Sequence, residues 1–179
     1  MQCESTSCRT KVMSYTRHYR LVDDVTDHFD DVTQNINAFI GSRYVGFFAV
    51  ASVSVIELAY RQIIVDFANN AHPTFGAFFS EHYKKTNARV RFEDIKKDLK
   101  RLGGTYHSRF SKLLERVQQY EIRHNSFSVK DSYSSLIQCR HDFAHEGDVP
   151  QNIAYTDVKN GYRAAKIVLA CLAKTLSKA

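Results

Sequence analysis

The sequence predicts an all-α fold, a helical bundle of four long core helices with shorter basic helices inserted between them. Apolar residues recur at three- and four-residue spacing along most of the 179 residues. No stretch alternates apolar and polar residues over enough positions to form a sheet. Because 44% of the residues are hydrophobic, we expect one core and one domain over residues 12–179, after a frayed tail at residues 1–11.

Two long helices are predicted in the first part of the chain. Residues 12–40 carry an amphipathic stripe, and Gly41 and Ser42 are expected to interrupt it. Residues 43–70 are apolar nearly all round, so this segment is expected to be the central helix. It should end just before Pro73, because the residue that precedes a proline is pushed out of helical geometry.

Shorter and more charged helices are predicted next. A short helix is expected around residues 75–85, and residues 92–102 form a charged helix that the Gly103-Gly104 pair closes. Residues 105–122 then begin another amphipathic helix.

The last two helices have clear start and stop signals. Ser128, with an acidic residue three positions on, resembles a capping pair that opens a helix over residues 129–146. Gly147 is expected to stop this helix. Thr156 is expected to cap the final helix, which runs over residues 157–178.

The formal net charge of +6 comes from one segment. Between Lys84 and His124 there are twelve Lys or Arg against five Asp or Glu. Such segregation indicates an anionic partner, most simply nucleic acid, although a solvated lysine-rich face is the competing interpretation. The basic side chains interleaved with aromatic residues are predicted to follow an RNA backbone: Lys84, Lys85, Arg89, Arg91, Lys96, Lys97, Lys100 and Arg101.

Cysteine usage and the N-terminal sequence predict a cytoplasmic protein. The four cysteines, at positions 3, 8, 139 and 171, form no C-x-x-C pair, so zinc-ribbon and thioredoxin-like sites are not supported. The first twenty residues lack the apolar core of a secretory signal. We expect no apolar run to approach the length that crosses a bilayer, so no membrane association is predicted.

Residues 134–151, SSLIQCRHDFAHEGDVPQ, concentrate the chemistry of the chain. Arg140 and His145 form the pattern R-x-x-x-x-H at the C-terminal end of an amphipathic helix, directly before a glycine. The pattern alone is weakly specific, but its position adds information. We expect the last helical turn to loosen and to direct both side chains at one pocket.

This arrangement resembles the HEPN superfamily of all-α domains, many of which are metal-independent ribonucleases. The residues RHDFAHEG are similar to its R-x-x-x-x-H signature followed by glycine, and SVIELAYRQII resembles the second-helix region of the RiboL-PSP branch. The latter match places Glu57 and Arg61 as polar positions that face the site. His141 departs from the family pattern, in which many members carry Asn or another small polar residue.

The resemblance implies RNA cleavage by attack of the 2′-hydroxyl, which leaves a 2′,3′-cyclic phosphate and needs no metal or cofactor. His145 would be the general base or acid, because an imidazole titrates near neutrality. Arg140 would clamp the phosphate with a permanently charged guanidinium. His141 and Asp142 would orient groups or shuttle protons.

Family members usually place two such motifs face to face across a two-fold axis, so a homodimer with a composite active site is expected. The resemblance also suggests a toxin or anti-phage defence effector, with an antitoxin or other regulatory partner.

Three alternatives remain open from the sequence. The pair His141 and His145, with Asp142 between them, is similar to a metallopeptidase H-E-x-x-H motif, although aspartate is one methylene short and no third ligand is evident. The cluster could instead be a solvated, charged helix end. The third alternative is a non-catalytic HEPN module that dimerises or binds a partner.

Overall fold

The computed structural model describes residues 14–32, 38–85, 90–147, 149 and 153–177. A 3₁₀ helix (Ser14–Tyr19) precedes seven α-helices: α1 (Arg20–Val32), α2 (Ala38–Ala71), α3 (Pro73–Lys85), α4 (Phe92–Leu102), α5 (Gly104–Asn125), α6 (Val129–Glu146) and α7 (Tyr155–Leu176). The described residues contain no strand, which confirms the all-α prediction. The predicted tail at residues 1–11 lies outside the described residues.

Helix α2 is the central element of the bundle, as its apolar sequence predicts. It packs against α1, α3, α6, α7 and the 3₁₀ helix. Its side chains Phe48, Ile56 and Tyr60 are almost completely buried. By length and composition residues Ile40–Ala71 could cross a membrane, contrary to our expectation for any apolar run, but 56% of the apolar window is buried inside the bundle. Such burial is typical of the core helix of a globular domain.

Helices α6 and α7 form an antiparallel hairpin whose close packing depends on Gly161. An added Cβ at this position would lie 2.6 Å from Leu136 Cβ and 2.8 Å from the carbonyl oxygen of Ser132. The buried thiols of Cys139 and Cys171 lie within the same core. The hairpin fixes the position of the helix that carries the R-x-x-x-x-H motif.

The start of α6 is tied to α5 by hydrogen bonds that satisfy a buried amide. Gln118 accepts from the backbone N–H of Lys130 at 3.0 Å and donates to Ser128 Oγ at 3.0 Å. Ser128 Oγ in turn accepts from the backbone N–H of Asp131, so the predicted capping pair is confirmed. The pairing fixes where α6 begins relative to α5.

Two predicted boundaries were wrong. Helix α2 begins at Ala38 and continues through Gly41 and Ser42, so residues 38–40, which were predicted to end the preceding helix, belong to α2. A single glycine inside a helix costs only about 1 kcal/mol, which the long buried stretch of α2 from Val45 onward can outweigh. Helix α7 begins at Tyr155 rather than after Thr156. Asp157 Oδ2 accepts from the backbone N–H of Ala154 at 2.8 Å and so replaces the predicted threonine cap.

Candidate active site

The C-terminal end of α6 is regular up to Glu146 and is closed by Gly147. Gly147 has φ 73°, a left-handed conformation that favours glycine, and its N–H bonds to the carbonyl of Phe143 at 3.0 Å. The guanidinium of Arg43 on α2 donates to the carbonyl oxygen of Gly147. The predicted stop is therefore confirmed, whereas the expected loosening of the last turn does not occur.

A cavity of about 810 Å³ opens beside this helix, between α2, α3, α4 and α6. It is the candidate active-site cavity. Its polar and charged walls come from Glu57, His82, Tyr83, Arg91, Glu93, Asp94, Lys97, Asp98, Arg101, Arg140 and His141. Val53, Val90 and Ile137 supply the apolar surface.

Only part of the predicted catalytic set faces this cavity. Arg140 and His141 line it, and both are half-buried. His145 is exposed and does not line it. In a regular helix, five residues correspond to a rotation of about 140° beyond a full turn, so Arg140 and His145 of one chain point in different directions.

His141 lines the cavity and also contacts the exposed His145. Its ring centroid lies 4.5 Å from that of His145, one helical turn on. Asp142 is outside the cavity and accepts a hydrogen bond from Gln138 Nε2 at 2.6 Å. Of the four predicted catalytic residues, Arg140 and His141 therefore line the cavity, whereas Asp142 and His145 lie outside it.

Glu57 on α2 is half-buried in the cavity wall. Burial raises the pKa of its carboxyl group, and the opposing influence of Arg140 and Arg61 is smaller. Arg61, which was expected to face the site, does not line the cavity, and no carboxylate of the described chain lies within 4.0 Å of its guanidinium. The buried Nε of Arg61 has no hydrogen-bond partner among the described residues.

Replacing Glu57 by glutamine is expected to stabilise the fold at pH 7. A raised pKa means that the folded state binds this proton more tightly than the unfolded state, so the ionised carboxylate destabilises the fold at neutral pH. We expect the melting temperature to rise by about 1–2 °C at pH 7, and the gain to vanish as the pH falls towards 4.5. Thermal unfolding of the wild type and of Glu57→Gln at pH 7 and at pH 4.5 measures this difference in melting temperature.

Glu115 is the matched control, because Lys130 lowers the pKa of its carboxyl group. Glu115→Gln should therefore not stabilise the fold at pH 7. A gain for Glu57→Gln that is equal at both pH values would contradict the assignment of a raised pKa.

Helix α4 brings acidic as well as basic groups to the cavity. Asp98 accepts hydrogen bonds from the hydroxyls of Tyr60 and Tyr83, at 2.8 and 3.1 Å, and from Arg101 at 3.2 Å. Burial, with the Asp98 carboxylate as the next cause, raises the pKa of Tyr83 to about 12, so its hydroxyl remains a donor. Four cations line the cavity, and four carboxylates balance them: Glu57, Glu93, Asp94 and Asp98.

The acidic side of the cavity was missed by sequence reasoning. Asp94 and Asp98 lie four residues apart and interleave with Lys97 and Arg101 at helical spacing, which was a usable signal. His82 and Tyr83 carried no comparable signal, because α3 has no distinctive pattern and its contact with α4 is a tertiary feature.

The predicted RNA-binding residues that the structure describes do not all line the cavity. Arg91, Lys97 and Arg101 line the cavity, whereas Lys96 and Lys100 lie elsewhere on α4. Lys84 pairs with Glu81 at 2.6 Å. Arg89 and the side chain of Lys85 lie outside the described residues.

The metal alternative finds no ligand set in the part of the chain that the structure describes. His141 and His145 are neighbours, but no group of three or more His, Cys, Asp or Glu side chains there is arranged to hold an ion.

Comparison with known proteins gives one match. The family model described as RiboL-PSP-HEPN matches residues 16–178, which is most of the chain. No curated protein and no solved structure gives a significant match.

Proposed function

We propose that this chain, which belongs to the RiboL-PSP-HEPN family, is a metal-independent endoribonuclease. Domains of this family are often ribonucleases, commonly bind RNA and commonly dimerise. The observation that carries the proposal is the placement of Arg140 and His141 in the wall of a large polar cavity, with His145 one turn on. A toxin or anti-phage defence role, restrained by an antitoxin or other partner, is part of the same proposal.

The proposed reaction uses the nucleophile that RNA already contains. A histidine of the motif takes the proton of the 2′-hydroxyl, whose oxygen attacks the adjacent phosphorus, and the 5′-oxygen of the next nucleotide leaves with a proton. Arg140 stabilises the extra negative charge on the phosphorane. His145 and His141 are the candidate base and acid, and Asp142 is an orienting residue.

The primary test is cleavage of RNA by the purified chain in EDTA. The proposal expects products with 2′,3′-cyclic phosphate ends and no loss of rate when divalent metals are removed. Absence of cleavage, or cleavage that EDTA abolishes, would contradict it. A chain that binds a partner without cutting RNA would instead be the non-catalytic module.

The geometry of α6 favours a composite site between two copies. Within one chain, His82 and His141 are the imidazoles that line the cavity with Arg140. Arg140 and His145 diverge, so His145 is expected to act beside Arg140 only when it comes from a second α6. A stripe on α2 borders the end of α6, since Phe47 packs edge-on against Phe143 with ring centroids 5.3 Å apart. The exposed apolar side chains of this α2 stripe are Ile40, Tyr44, Phe47 and Leu58.

Phe47→Asp is expected to convert a dimer to monomers and to lower cleavage at least tenfold. Phe47 is 60% exposed in the single chain, so a charge there can be hydrated in the monomer but not at a buried interface. Light scattering after gel filtration measures the mass. Phe78→Asp is the control, because Phe78 on α3 is equally exposed at 65%.

Mixing two inactive variants tests whether the site is composite. Arg140→Ala and His145→Ala should regain activity when they are mixed and allowed to exchange, because one of the two composite sites of the heterodimer keeps both groups. A site within one chain predicts no recovery. A wild-type monomer that cleaves at full rate would also refute the composite site.

A further inference from the structure

A second groove lies between the first half of α5 and the end of α7, and it shares no lining residue with the active-site cavity. Its volume is about 860 Å³. The residues that line this α5–α7 groove are Gly104, Thr105, Ser108, Arg109, Lys112, Leu113, Arg116 and Lys174. Four are cations and none is a carboxylate, in contrast to the balanced charges of the active-site cavity.

Three of these cations have no partner in the described structure. Lys112, Arg116 and Lys174 are exposed, and no ion pair or side-chain hydrogen bond of theirs forms within the described residues. Glu115, the acidic neighbour on α5, is paired instead with Lys130 at 2.5 Å. The groove therefore retains its positive potential, and clefts lined by one sign of charge concentrate ions of the opposite sign.

Arg109 joins the two helices that form the groove. Its guanidinium donates to the carbonyl of Thr175 at 3.3 Å, which joins α5 to the last turn of α7. Arg109, Lys112 and Arg116 follow one another at three- and four-residue spacing, so they form a row about 10 Å long on one face of α5. The fourth cation, Lys174, faces this row from α7.

The position of the groove relative to the motif follows from helix geometry. Gly161 on α7 lies against Leu136 on α6, and Lys174 is thirteen residues further along α7. Arg140 is four residues from Leu136 in the opposite direction along the hairpin. At about 1.5 Å per residue, Lys174 and Arg140 are roughly 25 Å apart.

We propose that the α5–α7 groove is an RNA exosite that binds the phosphate backbone of the substrate away from the cleavage site. The inference rests on the proposed function for the identity of the polyanion. At about 3.4 Å per stacked nucleotide, a strand of roughly seven nucleotides reaches from Arg140 to Lys174.

RNA fits this groove better than an acidic protein segment does. Protein interfaces depend on apolar and aromatic anchors in their centre, and Leu113 is the single large apolar side chain that lines the groove. Hydroxyls from Thr105 and Ser108 together with a row of cations are the usual contacts to phosphate oxygens.

The test compares two double variants that each remove two positive charges, both in an Arg140→Ala background that prevents cleavage. Lys112→Gln/Arg116→Gln changes the groove, whereas Arg20→Gln/Arg123→Gln changes exposed positions outside it. Fluorescence anisotropy with a labelled 20-nucleotide RNA gives the affinity as a function of salt. A tetranucleotide, which is too short to span the two sites, serves as the second ligand.

The groove variant is expected to bind the 20-mer roughly tenfold more weakly and to lower the slope of log K against log salt by about 1.4, which is 0.7 for each lost phosphate contact. The control variant should show no such change, and the tetranucleotide, which can occupy only one of the two sites at a time, should lose less affinity than the 20-mer. An unchanged slope overturns the exosite, as does a polyglutamate competitor that displaces the 20-mer as well as unlabelled RNA does.

Failure of the exosite and failure of the ribonuclease are distinguishable. If the wild-type chain cleaves RNA but the groove variant binds RNA normally, the exosite proposal is wrong and the ribonuclease proposal is supported. If groove-dependent RNA binding occurs without cleavage, the exosite stands and the enzyme is wrong.

Discussion

Arg140→Ala is expected to lower the single-turnover rate of RNA cleavage by about 10³-fold without changing the fold. Removing one group that stabilises transition-state charge typically costs about 10²–10³ in rate, and a catalytic arginine on a phosphoryl group can be worth more. Arg140 is half-buried in the cavity wall, where water screens it less than on the open surface. Rates measured in EDTA at saturating enzyme isolate the chemical step.

Two further variants show whether the effect of Arg140 comes from its charge, from the shape of its guanidinium, or from any loss of positive charge. Arg140→Lys keeps the charge but loses the planar fork, so it should recover only part of the rate. Arg123, an exposed residue near the end of α5, is the control, and Arg123→Ala should remain within about twofold of wild type. If Arg140→Ala keeps a tenth of the activity at an unchanged melting temperature, the phosphate clamp is elsewhere.

The features that the sequence predicted correctly are governed by short stretches of chain. Ser128 caps α6 because its hydroxyl reaches a backbone N–H three residues on, and Gly147 ends the helix because it accepts a positive φ. The buried faces of α6 and α7 follow from the spacing of their apolar residues. Each of these signals is complete within a few residues, so neighbouring elements cannot readily override it.

The features that the sequence did not predict depend on packing between distant segments. Gly41 stays helical within α2, whose buried contacts with the rest of the bundle begin four residues later at Val45. The cavity joins Glu57 to Asp94 and Asp98, which are about forty residues away in sequence. Arg140 was correctly expected to face a pocket, but the chemistry of the opposite wall was not accessible without the tertiary structure.

The local pattern that predicted the RNA-binding residues counts charges without knowing their neighbours in the fold. Lys84 and Arg101 are paired with carboxylates on their own helices. Lys112 and Arg116, which the predicted RNA-binding set omitted, line a groove to which none of the described carboxylates contributes. The net charge of the segment is visible in the sequence, whereas the positions of its charged side chains on the surface depend on the fold.

Gly161→Ala is expected to destabilise the protein by about 2–3 kcal/mol, equivalent to a fall in melting temperature of roughly 5–10 °C. Alanine normally favours a helix over glycine by up to about 1 kcal/mol, but here its Cβ would lie 2.6 Å from Leu136 Cβ and 2.8 Å from the Ser132 carbonyl. Neither atom can move without separating α6 from α7. Gly41→Ala is the matched control, because no atom lies within 4 Å of its added Cβ, and it should stabilise slightly. Thermal and urea unfolding should show a lower free energy of unfolding for Gly161→Ala and a slightly higher one for Gly41→Ala. Changes of the same sign would refute this packing of the hairpin that carries Arg140.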